Sequence, residues 1–325
     1  MGVKASRRQR PGARRMASDQ LFAPLRDAAL SAGRLRTAVA YPMSASSLDA
    51  AVQAQRAGHI EPVLVGPARK LLDRLAQAGL RPGDFDIVDT PDDECLAAQT
   101  AAGLARDGAV QMLMKGSLHT EHFMAAVVSR ESGLRTSRRV SHAFVMGVAA
   151  YAKLFILTDA AVNIAPTLME KADIAQNAID LAQALGIGRP KVAVLCATES
   201  VNPAMPATLD AAALSKMADR QQIRGGDIDG PLAFDNAISR QAAQEKGIVS
   251  RVAGDADILL APDIEAGNML YKELTWLAGA DTAGLVLGTR VPVLLTSRSD
   301  SVQARVNSCA IAVLHARALL AARDA

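Results

Sequence analysis

Residues 283–301 read AGLVLGTRVPVLLTSRSDS, and the reading of this stretch decides the fold. Two apolar runs, AGLVLGT (283–289) and VPVLLTSR (291–298), follow each other with almost no link. A parallel crossover needs a dozen residues or more, so a link this short implies an antiparallel pair. The second run then delivers Ser297, Arg298, Ser299 and Asp300 to the mouth of a helix expected from Asp300 to Ala322. A hydroxyl–arginine cluster at a helix N-terminus, where free N–H groups and the positive dipole end lie, suits an anion.

Outward from this stretch, short apolar runs alternate with Ala-rich amphipathic segments. Further strands are expected at 37–42, 60–66, 85–90, 110–116, 141–148, 153–159, 191–198 and 257–263. Continuous apolar strands separated by helices imply an α/β fold whose parallel sheet is covered on both faces. SHAFVMGV (141–148) and KLFILTD (153–159) form a second closely linked pair. The two breaks in alternation, near residues 148 and 295, are the expected domain crossings. They divide the chain into a basic tail (1–19), a first α/β domain (20–148 with 298–325) and a second (149–297).

The 325-residue chain is 50% apolar but only 3% aromatic, so its core is built mainly from aliphatic side chains. Scarce aromatics also argue against a base-stacking nucleic-acid surface. The formal charge of +3 is misleading: the first twenty residues carry six basic groups and one acid, which leaves 30 basic against 32 acidic residues. That basic, acid-poor segment resembles a transit peptide in composition. It reads instead as a disordered tail, or as an over-long start with Met16 as the first residue. Three widely spaced cysteines in apolar runs suit buried thiols in a reducing, cytoplasmic setting. No apolar run approaches the roughly 18 residues of a membrane span.

In open α/β sheets ligands bind beyond the carboxyl ends of the strands, and there the polar residues collect. Lys115 and Gly116 follow VQMLM; Thr158, Asp159 and Asn163 follow KLFIL; Asp263 and Asn268 follow DILLA. Each alone is an ordinary cap or turn residue. Together, with Lys115 and Arg298 as cations, they form a candidate seat for phosphate or another anion. There is no G-x-x-x-x-G-K-[ST], no G-x-G-x-x-G and no G-x-S-x-G. His119 and His122 stand three apart, but no third ligand lies nearby in sequence, so they read as non-metal residues and no metal site is expected.

Several long segments in order, among them MLMKGSLHT (112–120), ILTDAAVN (156–163), GDADILLAPDIEAGNMLYK (254–272) and PVLLTSRSDS (292–301), resemble the phosphate acetyltransferase and phosphate butyryltransferase family. VNPAMPAT (201–208) and DGPLAFDNA (229–237) look more like its butyryl branch. The resemblance implies two doubly wound, three-layer α/β domains of isocitrate-dehydrogenase-like architecture, an active-site cleft between them, and a homodimer. It implies reversible transfer of a short acyl group, acetyl or butyryl, between acyl-CoA and phosphate. CoA is then a substrate and no other cofactor is required; no nucleic acid or membrane partner is expected. Arg298 would hold the phosphoryl group or developing charge, and Ser297 would bond the reacting atoms. Arg139 and Ser141 match phosphate contacts. The acetyl branch carries an aspartate seven residues beyond the serine; here that position is Ala304, so either Asp300 is the base or no dedicated carboxylate serves. Two rival readings remain. One is a non-catalytic CoA or acyl-phosphate sensor. The other is a related-fold dehydrogenase, whose metal only His119, His122 and His142 could hold.

Overall fold

The computed structural model describes residues 11–295 and 300–324. Helix α1 (Pro11–Ala32) comes first, and its backbone starts inside the basic segment that composition marks as a disordered tail. Four strand–helix units follow: β1 (Leu35–Ala40), α2 (Ala45–Arg56), β2 (Ile60–Gly66), α3 (Ala68–Gln77), β3 (Asp86–Asp89), α4 (Glu94–Arg106), β4 (Met112–Lys115) and α5 (Thr120–Val128). Each crossover carries a helix, so β3–β2, β2–β1 and β1–β4 all pair in parallel.

The alternation breaks where the short links require it. Strand β5 (Ser141–Gly147) meets β6 (Phe155–Thr158) in antiparallel register, Ala143 opposite Thr158. Then come α6 (Leu168–Ala184), β7 (Lys191–Leu195), α7 (Pro206–Asp219), β8 (Asp227–Leu232), the short α8 (Phe234–Ile238) and α9 (Arg240–Glu245), and β9 (Ile258–Leu260). Helix α10 (Ile264–Trp276) leads to β10 (Asp281–Leu287) and β11 (Val293–Leu294), again antiparallel, and α11 (Val302–Asp324) closes the described chain. The expected strands are all present. Strand β8, whose DIDGPL carries an internal Gly-Pro, was not expected as one; proline lacks a ladder donor and is confined to edges, and β8 is the outermost strand of its side.

All eleven strands form one sheet in the order β3-β2-β1-β4-β11-β10-β5-β6-β9-β7-β8. The five strands from β3 to β11 run one way. Passing through antiparallel β10 and β5 reverses the direction, so β6, β9, β7 and β8 run the opposite way. Period-two alternation splits the core between the faces. Leu35 and Val39 of β1, with Met112 and Met114 of β4, pack into a core that includes buried residues of α2, α6, α7 and α11. Ala38, Ala40 and Leu113 face the other way, toward α4 and α5. The buried face of α4 is entirely alanine, Ala97, Ala98, Ala101, Ala102 and Ala105, which lets the helix axis approach the strands closely.

Candidate active site

Helix α5 starts just beyond the carboxyl end of β4 and leads toward the start of β5, so it crosses from one half of the sheet to the other. Along it lies a cavity of about 570 Å³. Its walls are Thr120, Glu121, Met124 and Val128 of α5, Arg135, Arg138, Arg139 and Val140 before β5, Ala161 and Val162 after β6, and Leu295 after β11. Parallel register places Leu294 opposite Met114, so the chain leaves β11 next to Lys115 at the end of β4. Ser297 and Arg298, the expected catalytic pair, lie outside the described residues; they begin two positions beyond Leu295 on the cavity wall.

The three arginines are held differently. Arg138 is paired with Asp180. Arg139 Nε donates to Asn163 Oδ1 at 2.7 Å, its Nη1 lies 3.2 Å from Glu170, and its backbone N–H donates to Asp173 at 2.9 Å. The Arg135 guanidinium is exposed and has no partner among the described residues. Among the described residues the cavity therefore has one unpaired positive group and two anchored ones, a suitable field for an anion.

Asp159 organises the loop behind Arg139. Its Oδ1 accepts from the backbone N–H groups of Ala161 and Val162 at 2.9 and 3.0 Å; its Oδ2 accepts from Asn163 Nδ2 at 2.6 Å and from the His142 N–H at 3.2 Å. Four donors on a buried carboxylate satisfy its lone pairs, which is what makes its burial tolerable. Asn163 Nδ2 also donates to the Val140 carbonyl at 2.9 Å. In the sequence Asp159, Asn163 and Arg139 are separate candidates; the fold joins them into one relay. Asn268 joins from α10, donating to the Ala160 carbonyl at 3.1 Å. Its neighbour Gly267 packs so tightly that a Cβ would sit 2.4 Å from the Asp159 carbonyl oxygen.

The other candidates have internal roles. Ser141 is fully buried, and its hydroxyl accepts from Asn177 Nδ2 at 3.0 Å. Thr158 is equally buried and donates to the His142 carbonyl at 2.8 Å. Asp263 caps α10 by accepting from the Ala266 N–H at 2.8 Å. Gly116 passes so close to β1 that a Cβ would lie 2.2 Å from the Ala40 carbonyl oxygen. Lys115 Nζ donates to the carbonyls of Gly116 and Leu118 at 3.2 and 3.0 Å, which aims the ammonium toward the loop before α5.

Asp300 is half-buried just ahead of α11. Burial first, and then the negative charge of Asp300, raise the hydroxyl pKa of Tyr271, so the carboxylate stands close to α10. His142 is fully buried against Phe144, at 4.3 Å between ring centroids, and burial pushes its pKa down to about 4 despite the opposing pull of Asp159. It is neutral at physiological pH. Arg135 and Arg138, which also line the cavity, are not among the sequence candidates, although RTSRRV (135–140), three arginines before an apolar strand with no acid among them, is a readable signal.

Comparison with known proteins is consistent across sequence and structure. Residues 95–313 match the model of the family described as phosphate acetyl/butaryl transferase. A phosphate acetyltransferase of Rhizobium meliloti is 53% identical over 289 residues, 89% of this chain and 91% of that one. A phosphate butyryltransferase of Clostridium acetobutylicum is 44% identical over 279 residues, 86% and 92% of the two chains. The butyryl-like motifs thus sit in a chain with higher identity to this acetyl-named relative than to the butyryl-named one. The crystal structure of a branched-chain phosphotransacylase from Enterococcus faecalis superimposes with a TM-score of 0.77 at 33% identity, covering 87% of this chain and 99% of that one.

Proposed function

This chain belongs to the phosphate acetyltransferase and phosphate butyryltransferase family, and from that premise we propose that its arginine-lined cavity is where acyl transfer takes place. The enzyme is an acyltransferase that moves an acyl group reversibly between coenzyme A and inorganic phosphate. The observation carrying the assignment to this cavity is that Arg135, Arg138 and Arg139 share it with Leu295, the residue from which the Thr296–Ser299 segment departs.

In the direction of acyl phosphate synthesis, a phosphate oxygen attacks the thioester carbonyl. The C–O bond forms, the C–S bond breaks, and the thiolate leaves with the electron pair and takes up a proton. Phosphate enters the cavity against Arg135 and Arg139, with Arg298 on the developing oxyanion and Ser297 donating to the reacting atoms. In reverse, a thiol of pKa about 8.5 is a few per cent thiolate at neutral pH and already a good nucleophile. A base is helpful but not obligatory, which suits a chain with Ala304 in the first turn of α11 and Asp300 just before it. Lys115 and Asn268 are further candidates for contacts to phosphate or coenzyme A.

The same reading takes 20–148 with 298–325 and 149–297 as two domains that meet along α5, and a homodimer as the working form. The exposed apolar Met269, Trp276 and Leu277 at α10 support a second copy as partner. Among the described residues no helix is long and apolar enough to cross a membrane. The cysteines Cys95, Cys196 and Cys309 are unpaired, which supports a cytoplasmic location.

The test is incubation of the purified chain with acetyl-, propionyl- or butyryl-CoA, with and without phosphate, while free thiol is followed. Phosphate-dependent thiol release establishes the reaction and ranks the acyl chains. Binding of CoA without release from any donor would favour the sensor reading.

A further inference from the structure

Away from the cavity's arginines, the fold completes a cluster that the sequence left one member short. Glu94 opens α4, while His119 caps α5 and His122 follows in its first turn. Glu94 Oε2 lies 2.9 Å from His119 Nδ1 and 3.2 Å from His122 Nδ1. One donor atom from each residue lies within 4.8 Å of the other two. The imidazole rings do not stack, with centroids 5.5 Å apart and planes crossing at 64°, and both Nδ1 atoms approach the same carboxylate oxygen.

That spacing is close to what a metal requires. Zinc bonds of about 2.0–2.1 Å in tetrahedral geometry set neighbouring ligand atoms roughly 3.3 Å apart. Two histidines and one carboxylate, with the fourth position left to water, form a ligand set of zinc and its neighbours in the divalent series. The carboxylate is already fixed, because Oε2 also accepts the His119 backbone N–H at 2.9 Å. The ring of His119 is well exposed, with a relative side-chain accessibility of 77%, so an ion has a path in from solvent.

We propose that Glu94, His119 and His122 bind a divalent transition-metal ion of the zinc class through Glu94 Oε2 and the two Nδ1 atoms. Binding exchanges the hydrogen bonds at Oε2 for coordination, with each imidazole proton carried on Nε2 toward solvent. The ion ties the start of α4 to the start of α5 and so braces the helix whose Met124 and Val128 line the cavity. Two helix N-termini face the ion and oppose its charge, so its affinity falls below that of a closed structural site. The assignment does not depend on acyl transfer.

The experiment uses the full chain without an affinity tag, stripped of metal by chelation. Zn²⁺ is titrated in competition with a chromophoric chelator, and Co²⁺ is followed by absorption. About one ion per chain is expected, with visible bands of a low-coordinate nitrogen–oxygen site. Glu94→Gln, which keeps the side-chain volume, and His119→Ala should each weaken binding about ten-fold or more. Asp92→Asn, a neighbouring carboxylate bonded to Tyr41 and Lys70 instead, should leave it unchanged. Zn²⁺ should raise the melting temperature of the parent chain and not of Glu94→Gln. Failure to compete with the chelator, or equal binding by the variants, overturns the proposal. A near-ultraviolet thiolate-to-cobalt band, which would put Cys95 in the ligand set, overturns it too.

Discussion

Arg139 Nε donates to Asn163 Oδ1 across 2.7 Å, and this bond fastens the segment before β5 to the loop after β6. Asn163 in turn is fixed by Asp159 and the Val140 carbonyl. Asn163→Ala removes the acceptor that aims the guanidinium but leaves Arg139 in place. A hydrogen bond to a charged group contributes about 1.5–3 kcal/mol, so kcat/KM for phosphate should fall roughly 10- to 100-fold. The loss should appear mainly in KM for phosphate, and steady-state kinetics with phosphate varied will show it. An unchanged KM would mean that Arg139 does not meet the substrate.

Asp159 holds that loop with four accepted hydrogen bonds. Asp159→Ala leaves buried N–H donors unpaired, at a cost of about 1–3 kcal/mol for each that finds no replacement. The midpoint of urea unfolding should drop clearly even when no substrate is present. The contrast with Asn163→Ala, whose effect is chiefly on KM for phosphate, separates the scaffold from the contact.

Arg298→Ala should lose far more activity than Asp300→Ala. Removing a preorganised donor to a developing oxyanion costs about 3–4 kcal/mol in barrier, more than a hundred-fold in rate. Loss of the carboxylate near Tyr271 should cost much less if the thiol needs no dedicated base. Equal losses, or a larger one at Asp300, would reverse the ranking and make Asp300 the base.

Two buried histidines set a pH limit on stability. Burial lowers His142 and His315 to about 4 each, against about 6.5 in an unfolded chain. Below pH 6.5 the unfolded state binds protons that the folded state refuses, so stability is full above that value and falls until both states are protonated, below about pH 4. Between pH 7 and pH 5 each histidine should remove about 2 kcal/mol. His315→Leu should make the slope clearly shallower, with His142 and the buried His59, also lowered by burial, carrying the remainder; equilibrium unfolding at the two pH values is the check.

Trp276→Glu combined with Leu277→Glu places charge on the exposed apolar end of α10. Under the proposed homodimer, sedimentation should show a dimer for the parent chain and a monomer for the double variant. A parent chain that is already monomeric would remove the dimer from the reading.

The sheet was legible wherever link length constrained it. Two breaks in alternation gave the antiparallel pairs β5–β6 and β10–β11, because chain reach is a short-range property. Strand β8 was hidden by its Gly-Pro, and the start of α1 by a charged, acid-poor composition. At the site, residue type was legible but partnership was not. Nothing in the sequence tells that Ser141 turns inward to Asn177 while Arg139, two residues earlier, reaches the cavity. Nor does sequence bring Glu94 to His119 and His122, since that contact depends on how α4 and α5 pack.

The order in which the strands enter the sheet has a consequence for how the protein is made. By residue 116 a growing chain holds β1 to β4, and by residue 261 it holds β5 to β9, each set able to pair among its own members. The strands that stitch the two sets together, β10 and β11, emerge last, and β11 offers only Val293 and Leu294. Since folding tends to follow the order of synthesis, a growing chain carries two separate half-sheets with unpaired edges at β4 and β5 until β10 arrives. A nascent chain halted before residue 281 would expose both edges to other chains, and synthesis of β10 and β11 is what seals them.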